Sequence, residues 1–335
     1  MSKTLLSLDE VSELTEAILR AAGADRQNAQ PVAQATMEAE RDGIASHGLI
    51  FVPTYAEHLR CGKVDGKARP AVHCPRPGVV RVDAGSGFAQ PAILSGEPLL
   101  IEAARRQGIA CMAVQNSYNA GVLGQHVERI ADAGLVGLGF ANAPASIAPA
   151  GGKGAVIGTN PIALATPAGP DGQSLLIDQS ASVIARSEIA RHAAEGWELP
   201  AGWALDSGGM PTTDASRAME GTVAPAGGYK GFGWGLITEV FAAALAGATL
   251  GINASQFRGT AGGPPRTGQF FVAIDPEATA DGGFVEKLSA LCDAIGSQGA
   301  RVPGSRRRKA RIHTRMIEVN EKLLATLRAL EQPPA

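Results

Sequence analysis

Three short apolar runs alternate with two stretches of helical spacing in the middle of the chain, and this alternation constrains the fold more than any other feature. Val79–Asp83, Ile109–Val114 and Val136–Ala141 have the length and β-branched content of strands, whereas Pro91–Gly108 and Val122–Ala133 have the pattern of helices. Strands that alternate with helices build a sheet covered on both faces, so a three-layer α/β domain is expected. Pro161–Thr166, Ser174–Asp178 and Gln269–Asp275 read as further strands. Ser180–Glu195, Lys230–Ala246 and Gly283–Gly296 read as further helices, and residues 197–221 as loop with Trp203 packed inside.

The two ends of the chain follow a different pattern. Ser7-Leu-Asp-Glu10 is a capping box, after which Leu8, Val11, Leu14 and Ile18 recur on one helical face until Gly23. A second helix starts at Asp25 or Asn28, takes Pro31 in its first turn and runs to about Asp42. A third spans Pro53–Arg60. The Pro, Lys, Arg and Gly content of Gly66–Pro77 marks a crossing between domains. The expected organisation is a helical domain over 1–75, with 300–335 packing back on it through a closing helix over Ile312–Leu330, and an α/β domain over 76–299.

Composition narrows the function classes. A formal net charge of -2 gives no electrostatic reason for nucleic-acid binding, and the run Arg306–Lys309 reads as a solvated helix face. Leu236–Leu250, the most apolar region, is broken by Thr238, Glu239 and Gly247, so no membrane span is expected. Acidic residues at the N-terminus argue against a secretion signal. Cys61, Cys74, Cys111 and Cys292 lack metal or redox spacing and read as reduced thiols of a cytoplasmic protein without a metal site.

Of the six histidines, only His47 sits among small residues, in Ser46-His47-Gly48 at the end of the second helix. Its imidazole fits two roles, a cation favoured at a helix C-terminus or a proton carrier near neutral pH. A dinucleotide fingerprint is missing: Gly85-Ser-Gly87 runs into Gln90-Pro91, and Gly137-Leu-Gly139 lies within a strand. Polar clusters at strand ends take its place, namely Asn116–Asn119, Asn142, Gly158-Thr-Asn-Pro161, Asp178–Ser182 and Gly227–Gly231. Their number points to one shared cleft.

Taken in order, Ser46-His47-Gly48-Leu49, Lys63-Val-Asp-Gly66, Gly158-Thr-Asn-Pro161, the Asp178 segment, Trp203-Ala-Leu-Asp206 with Pro211-Thr-Thr-Asp214, and Gly228-Tyr-Lys-Gly231 resemble the malate/L-lactate dehydrogenase type 2 family over nearly the whole chain. The resemblance implies an NAD(P)-dependent oxidoreductase with a non-Rossmann fold, which accounts for the missing glycine fingerprint. The family's enzymes act on malate, lactate, sulfolactate, ureidoglycolate and diketogulonate, and on the cyclic imines Δ1-pyrroline-2-carboxylate and Δ1-piperideine-2-carboxylate; its members are typically homodimers. By the same resemblance Ser46 and His47 belong to the catalytic pocket. Thr159 and Asn119 face the substrate, while His47, Gly158, Thr159, Asn160, Asp178, Ser182 and Lys230 hold the cofactor.

Three positions depart from the family's pattern. Phe51 replaces an arginine that pairs with the substrate carboxylate in many members, Asn119 replaces a histidine, and Glu188 stands where hydroxy-acid dehydrogenases usually have lysine and imine reductases an acid. A carboxyl with a raised pKa at 188 would protonate a product nitrogen; a solvated helix carboxylate is the other reading. The expectation is an NAD(P)H-dependent reductase of small 2-imino or 2-oxo carboxylates, NADP favoured over NAD, most concretely a Δ1-pyrroline-2-carboxylate/Δ1-piperideine-2-carboxylate reductase. A 2-hydroxy acid dehydrogenase is the alternative, and a non-catalytic cofactor binder the alternative of another class.

Overall fold

The computed structural model describes residues 2–169 and 172–332. The chain opens on a strand that the patterning does not announce, β1 (Lys3–Ser7). Ser7 then caps α1 (Leu8–Ala21): its hydroxyl accepts from Glu10 N at 3.2 Å and its own N–H donates to the Glu10 carboxylate at 2.7 Å. Asp25 caps α2 (Arg26–Arg41). Pro31 lies past the first turn, contrary to expectation, so α2 forgoes one internal hydrogen bond there. Tight turns over Ala45–His47 and Leu49–Phe51 lead into α3 (Val52–Arg60).

Next come β2 (Ala71–Arg76), β3 (Val79–Asp83), α4 (Ala89–Gln107), β4 (Ile109–Ser117), α5 (Leu123–Asp132), β5 (Val136–Ala141), β6 (Ile162–Ala165) and β7 (Leu176–Gln179). The stretch read as a crossing therefore holds a strand, β2. Helix α6 (Arg186–Glu195) starts later than its pattern suggests, since the residues before it pair as extended chain with 224–226. It packs with β8 (Ala204–Leu205), β9 (Pro211–Thr212), α7 (Ala215–Glu220) and β10 (Thr222–Val223) around Ile189, Leu199 and Val223, with Trp203 against them. Helix α8 (Tyr229–Glu239) passes into a π-helical segment, Val240–Leu245, before β11 (Thr267–Ile274), α9 (Pro276–Ala280) and α10 (Phe284–Gly296).

The main sheet has seven strands in the order β2-β3-β4-β11-β5-β6-β7, and among the described residues only β3 and β4 run parallel. Strand β11 is inserted between β4 and β5. Its alternation covers both faces: Phe271 and Ala273 join Met112, Val114 and the inner sides of α4 and α5, whereas Phe270 joins Phe140, Ala113 and the π segment's Phe241 and Ala242. Helices thus lie on both sides of the sheet.

The closing helix expected over Ile312–Leu330 is three elements, α11 (Ser305–His313), β12 (Met316–Asn320) and α12 (Glu321–Leu330). Met316-Ile-Glu-Val-Asn320 has the two-residue period of a strand: Ile317 and Val319 are buried, Met316 and Glu318 exposed. It pairs antiparallel with β1. Leu6, Ile317 and Val319 then share one core with Val11, Ile18, Leu49, Val52, Leu324 and Leu327, which ties the chain's two ends together beneath the Ser46-His47 turn.

Candidate active site

The polar clusters gather at one end of the sheet because of strand direction. Ser117 at the end of β4 faces Thr267 at the start of β11, Ala141 at the end of β5 faces Gln269, and Ile162 at the start of β6 faces Gln179 at the end of β7. The loops leaving this end bond to one another. Asn142 Oδ1 accepts from Gly268 N at 2.8 Å, Ala181 N donates to Thr159 O at 2.7 Å, and Ala226 N, just ahead of Gly227–Gly231, donates to Ala181 O at 2.8 Å.

A buried charge network brings the Ser46-His47 corner onto this end. Asp42, the C-cap of α2, has a side chain with 0% exposure and is held by Arg311 of α11 at 2.5 Å. The same guanidinium reaches Glu128 of α5 at 2.7 Å, and Gln125 Nε2 of α5 donates to Ala35 O of α2 at 3.1 Å. Beneath the turn, Glu40 Oε1 accepts from Leu49 N at 2.7 Å and presses on Gly48, where a Cβ would stand 2.0 Å from that oxygen. Burial pushes the Glu40 carboxyl above its ordinary range.

Ser46 Oγ and His47 Nδ1 are 2.9 Å apart. Nε2 of His47 has no protein partner among the described residues. Burial lowers the His47 pKa, the Asp178 carboxylate pulls it back up, and the Arg307 guanidinium pushes it down. Asp178 and Arg307 are themselves an ion pair at 2.9 Å with 12% and 14% side-chain exposure, and Asp178 also accepts from Gly124 N at the start of α5 at 3.0 Å. Arg307 Nη1 is buried without a partner.

Other site candidates stand as follows. Thr159 is half-buried and no hydrogen bond engages its hydroxyl among the described residues. Asn160 is buried with its amide committed to the protein: Oδ1 accepts from Ala143 N, and Nδ2 donates to Gly235 O and Glu239. Gly158 lies where a Cβ would stand 2.3 Å from Ala143 O. Asn119 Oδ1 closes a turn by accepting from Gly121 N at 2.7 Å. Ser182 is buried with its hydroxyl 2.9 Å from that of Ser180, and Lys230 is exposed on the first turn of α8. Glu188 bonds within its own helix to Arg191, which holds its carboxyl below the usual range, the opposite of what proton donation asks.

The basic run departs from the solvated face expected of it. Arg307 pairs with Asp178, and Arg308 Nη1 donates to Ser174 O at 3.0 Å and to its hydroxyl at 2.8 Å. Arg307, Arg311, Glu40 and Gly124 thus line or brace the candidate site, and sequence reasoning did not single them out. The available signal was a dense cluster of cations in a chain without nucleic-acid character.

Among the described residues no group of three or more His, Cys, Asp or Glu is placed to hold a metal, and no helix is long and apolar enough to cross a membrane. A nicotinamide dinucleotide, rich in anionic and hydroxyl oxygens, fits better. The orphaned Arg307 Nη1 is a buried donor that needs an acceptor. Gly124 leaves it room, since a Cβ there would stand 2.4 Å from Nη1 and 2.8 Å from Asp178 Oδ2.

Polar loops gathered at one end of a mixed sheet, with an imidazole near a buried ion pair, form a candidate ligand-binding site. The family model described as malate/L-lactate dehydrogenase matches residues 6–328, and the chain belongs to that family. It is an oxidoreductase that uses a nicotinamide cofactor. It is 42% identical over 328 residues to the (2R)-3-sulfolactate dehydrogenase (NADP(+)) of Chromohalobacter salexigens, covering 97% of each chain. It is 37% identical over 330 residues to the Δ1-pyrroline-2-carboxylate reductase of Pseudomonas fluorescens, covering 97% of this chain and 98% of that one. The crystal structure of Δ1-piperideine-2-carboxylate reductase from Pseudomonas syringae superposes with a TM-score of 0.92 at 33% identity, covering 98% of this chain and 99% of the other.

Proposed function

We propose that this chain is a reductase of small 2-imino and 2-oxo carboxylates that prefers NADPH, with Δ1-pyrroline-2-carboxylate and Δ1-piperideine-2-carboxylate as its substrates. The observation that carries the reading is His47: Nδ1 engaged by Ser46, Nε2 without a partner among the described residues, the ring in the field of the Asp178–Arg307 pair. When bound, a reduced nicotinamide supplies a hydride. The chain must then place C2 of the substrate and deliver a proton to the atom that was doubly bonded to it.

In the imidazolium, Nδ1–H donates to the Ser46 hydroxyl and the Nε2 proton faces that atom; once it is delivered, Nδ1 keeps its hydrogen and Nε2 is left with its lone pair. Protonation of His47 makes it the acid of reduction; its neutral form is the base of the reverse reaction. A lowered pKa strengthens the acid at the cost of its population. Glu188, ionised beside Arg191, leaves this step to His47. Thr159 offers its hydroxyl to the substrate, with Asn119 on the neighbouring loop. Asp178, Ser182, Arg307, Lys230 and the Gly158–Asn160 backbone hold the cofactor in a cleft without the Rossmann glycine loop. We place that cleft between the helical unit expected over 1–75 with 300–335 and the sheet unit expected over 76–299, with β2 (Ala71–Arg76) belonging to the sheet unit.

Phe51, edge-to-face with Tyr55 at 4.9 Å, sets an aromatic wall near the turn where many members carry a cation for the substrate carboxylate, so either another cation anchors that carboxylate here or the substrate differs from a standard 2-oxo acid. Exposed Trp234, Ile237, Val240 and Leu245 on α8 and the π segment support a homodimer, and cysteines without metal or redox spacing a cytoplasmic setting. A second reading, oxidation of a 2-hydroxy acid such as sulfolactate, is favoured by the 42% identity to the Chromohalobacter enzyme. A panel of cyclic imino acids and straight-chain oxo acids, followed by NADPH absorbance, separates the two. Turnover of the imines supports the first reading, and turnover of oxo acids alone rejects it.

A further inference from the structure

Glu239 ends α8 as a buried carboxylate in no ion pair among the described residues. Its charge is met by N–H groups alone. Oε1 accepts from Gly251 N at 2.6 Å and, more weakly, from Asn142 Nδ2 at 3.4 Å; Oε2 accepts from Asn160 Nδ2 at 2.7 Å. The residues it meets come from three loops at the active end of the sheet. The π-helical segment starts at the next residue, Val240, and such insertions frequently mark functional positions.

We infer that Glu239 is a positioning residue, which sets Thr159 for substrate by locking Asn160 in its left-handed conformation. Asn160 has φ +38°, in the left-handed region that asparagine enters more readily than most side-chain-bearing residues, and the hydrogen bonds of its amide hold it there. Its second amide hydrogen goes to Gly235 O at 3.0 Å and its oxygen accepts from Ala143 N at 3.2 Å, so the amide has one orientation and no spare hydrogen. Thr159 is then held from both sides, by Asn160 and by the bond from Ala181 N to its carbonyl at 2.7 Å. Asn142 is fixed in the same sense: Oδ1 accepts from Gly268 N at 2.8 Å and Nδ2 donates to Thr249 O at 2.9 Å. Because every group facing Glu239 is a donor, only a side chain that purely accepts satisfies all of them. A carboxamide of the same volume turns its NH2 against either Gly251 N or Asn160 Nδ2.

This role rests on the reading of Thr159 as a substrate contact, and the test separates the two. In Glu239→Gln, the KM for the imino acid is expected to rise about tenfold, the loss of one hydrogen bond to a charged group, with a smaller change in kcat. In a Thr159→Ala background the same substitution is expected to change KM less than about twofold, since coupled residues are not additive. Amides of Ala143, Asn160 and Gly251 exchange faster in Glu239→Gln while those of α4 do not, a readout that needs no turnover. If the wild type reduces none of the acids, the reading of the site fails and the exchange rates alone judge Glu239. The inference is overturned by an equal KM factor in both backgrounds, by an unchanged KM beside a lowered melting temperature, or by unchanged exchange in the three loops. If Glu239→Gln fails to fold, Asn160→Ala, which cuts the same link at its other end, goes through the same cycle and is judged by the same outcomes.

Discussion

Gly48→Ala is the smallest change that tests how the His47 turn is held. The glycine has φ -94° and ψ -146°, so its negative φ makes no demand for the left-handed region. What excludes a side chain is Glu40: a methyl group would stand 2.0 Å from Oε1, 2.5 Å from Cδ and 2.9 Å from Cγ. The carboxylate must swing away, which breaks its 2.7 Å bond from Leu49 N. An N–H stranded in a partly buried turn costs about 1–3 kcal/mol. If that cost falls on the catalytic geometry, kcat/KM drops between about 5-fold and 150-fold. Steady-state kinetics on the imino acid with a melting curve on the same sample reads both halves of the effect. Glu40→Ala in the same chain makes room for the methyl, so the double variant is expected to lose no more than Glu40→Ala alone. A Gly48→Ala enzyme within about twofold of wild type, or a double variant that loses the product of the two single effects, refutes this account of the turn.

Three further outcomes follow from the site's charges and from a buried histidine. Reductive kcat/KM is expected to fall as pH rises through a His47 pKa lowered from its ordinary value; Asp178→Asn is expected to move that limb to lower pH and Arg307→Gln to higher pH, with pH–rate profiles of the three enzymes as the check. Arg311→Met leaves the Asp42 and Glu128 carboxylates without their shared partner, although Arg41 stays 3.1 Å from Asp42, and is expected to cost about 3 kcal/mol in urea unfolding. His126 is buried, bonds through Nε2 to Ala120 O at 2.9 Å and has its pKa pushed down to about 3. The unfolded chain takes up that proton below about 6.5 and the folded one only below about 3, so stability falls with pH across this window by up to about 1.4 kcal/mol per unit. Urea midpoints of His126→Gln at pH 7 and pH 5 are expected to show a flatter dependence than wild type.

Features written in local spacing were legible in the sequence. The Ser7–Glu10 box, the runs that became β3, β4 and β5, and the helices between them depend on neighbours a few residues apart. Partners far apart in the chain were not. Nothing in Thr267–Ile274 indicates that it will part β4 from β5, and Met316–Asn320 looks helical until β1 supplies the strand it pairs with. The site divides along the same line. Ser46-His47 and the polar loop ends stand out as residue types, but a run of cations carries no information on which member will meet a carboxylate. Arg307 and Arg311 acquire their roles only when α11 meets Asp178, Asp42 and Glu128. Glu188 shows the converse: its residue type suggests an acid, and Arg191 one turn later keeps it ionised.

Incubation with Δ1-pyrroline-2-carboxylate and NADPH dideuterated at nicotinamide C4, followed by mass and NMR analysis of the product, tests the central claim most directly. Deuterium at C2 of proline with the wild type, and none with His47→Ala, is the expected result. Unlabelled product, or the same label at the same rate without the His47 imidazole, contradicts it.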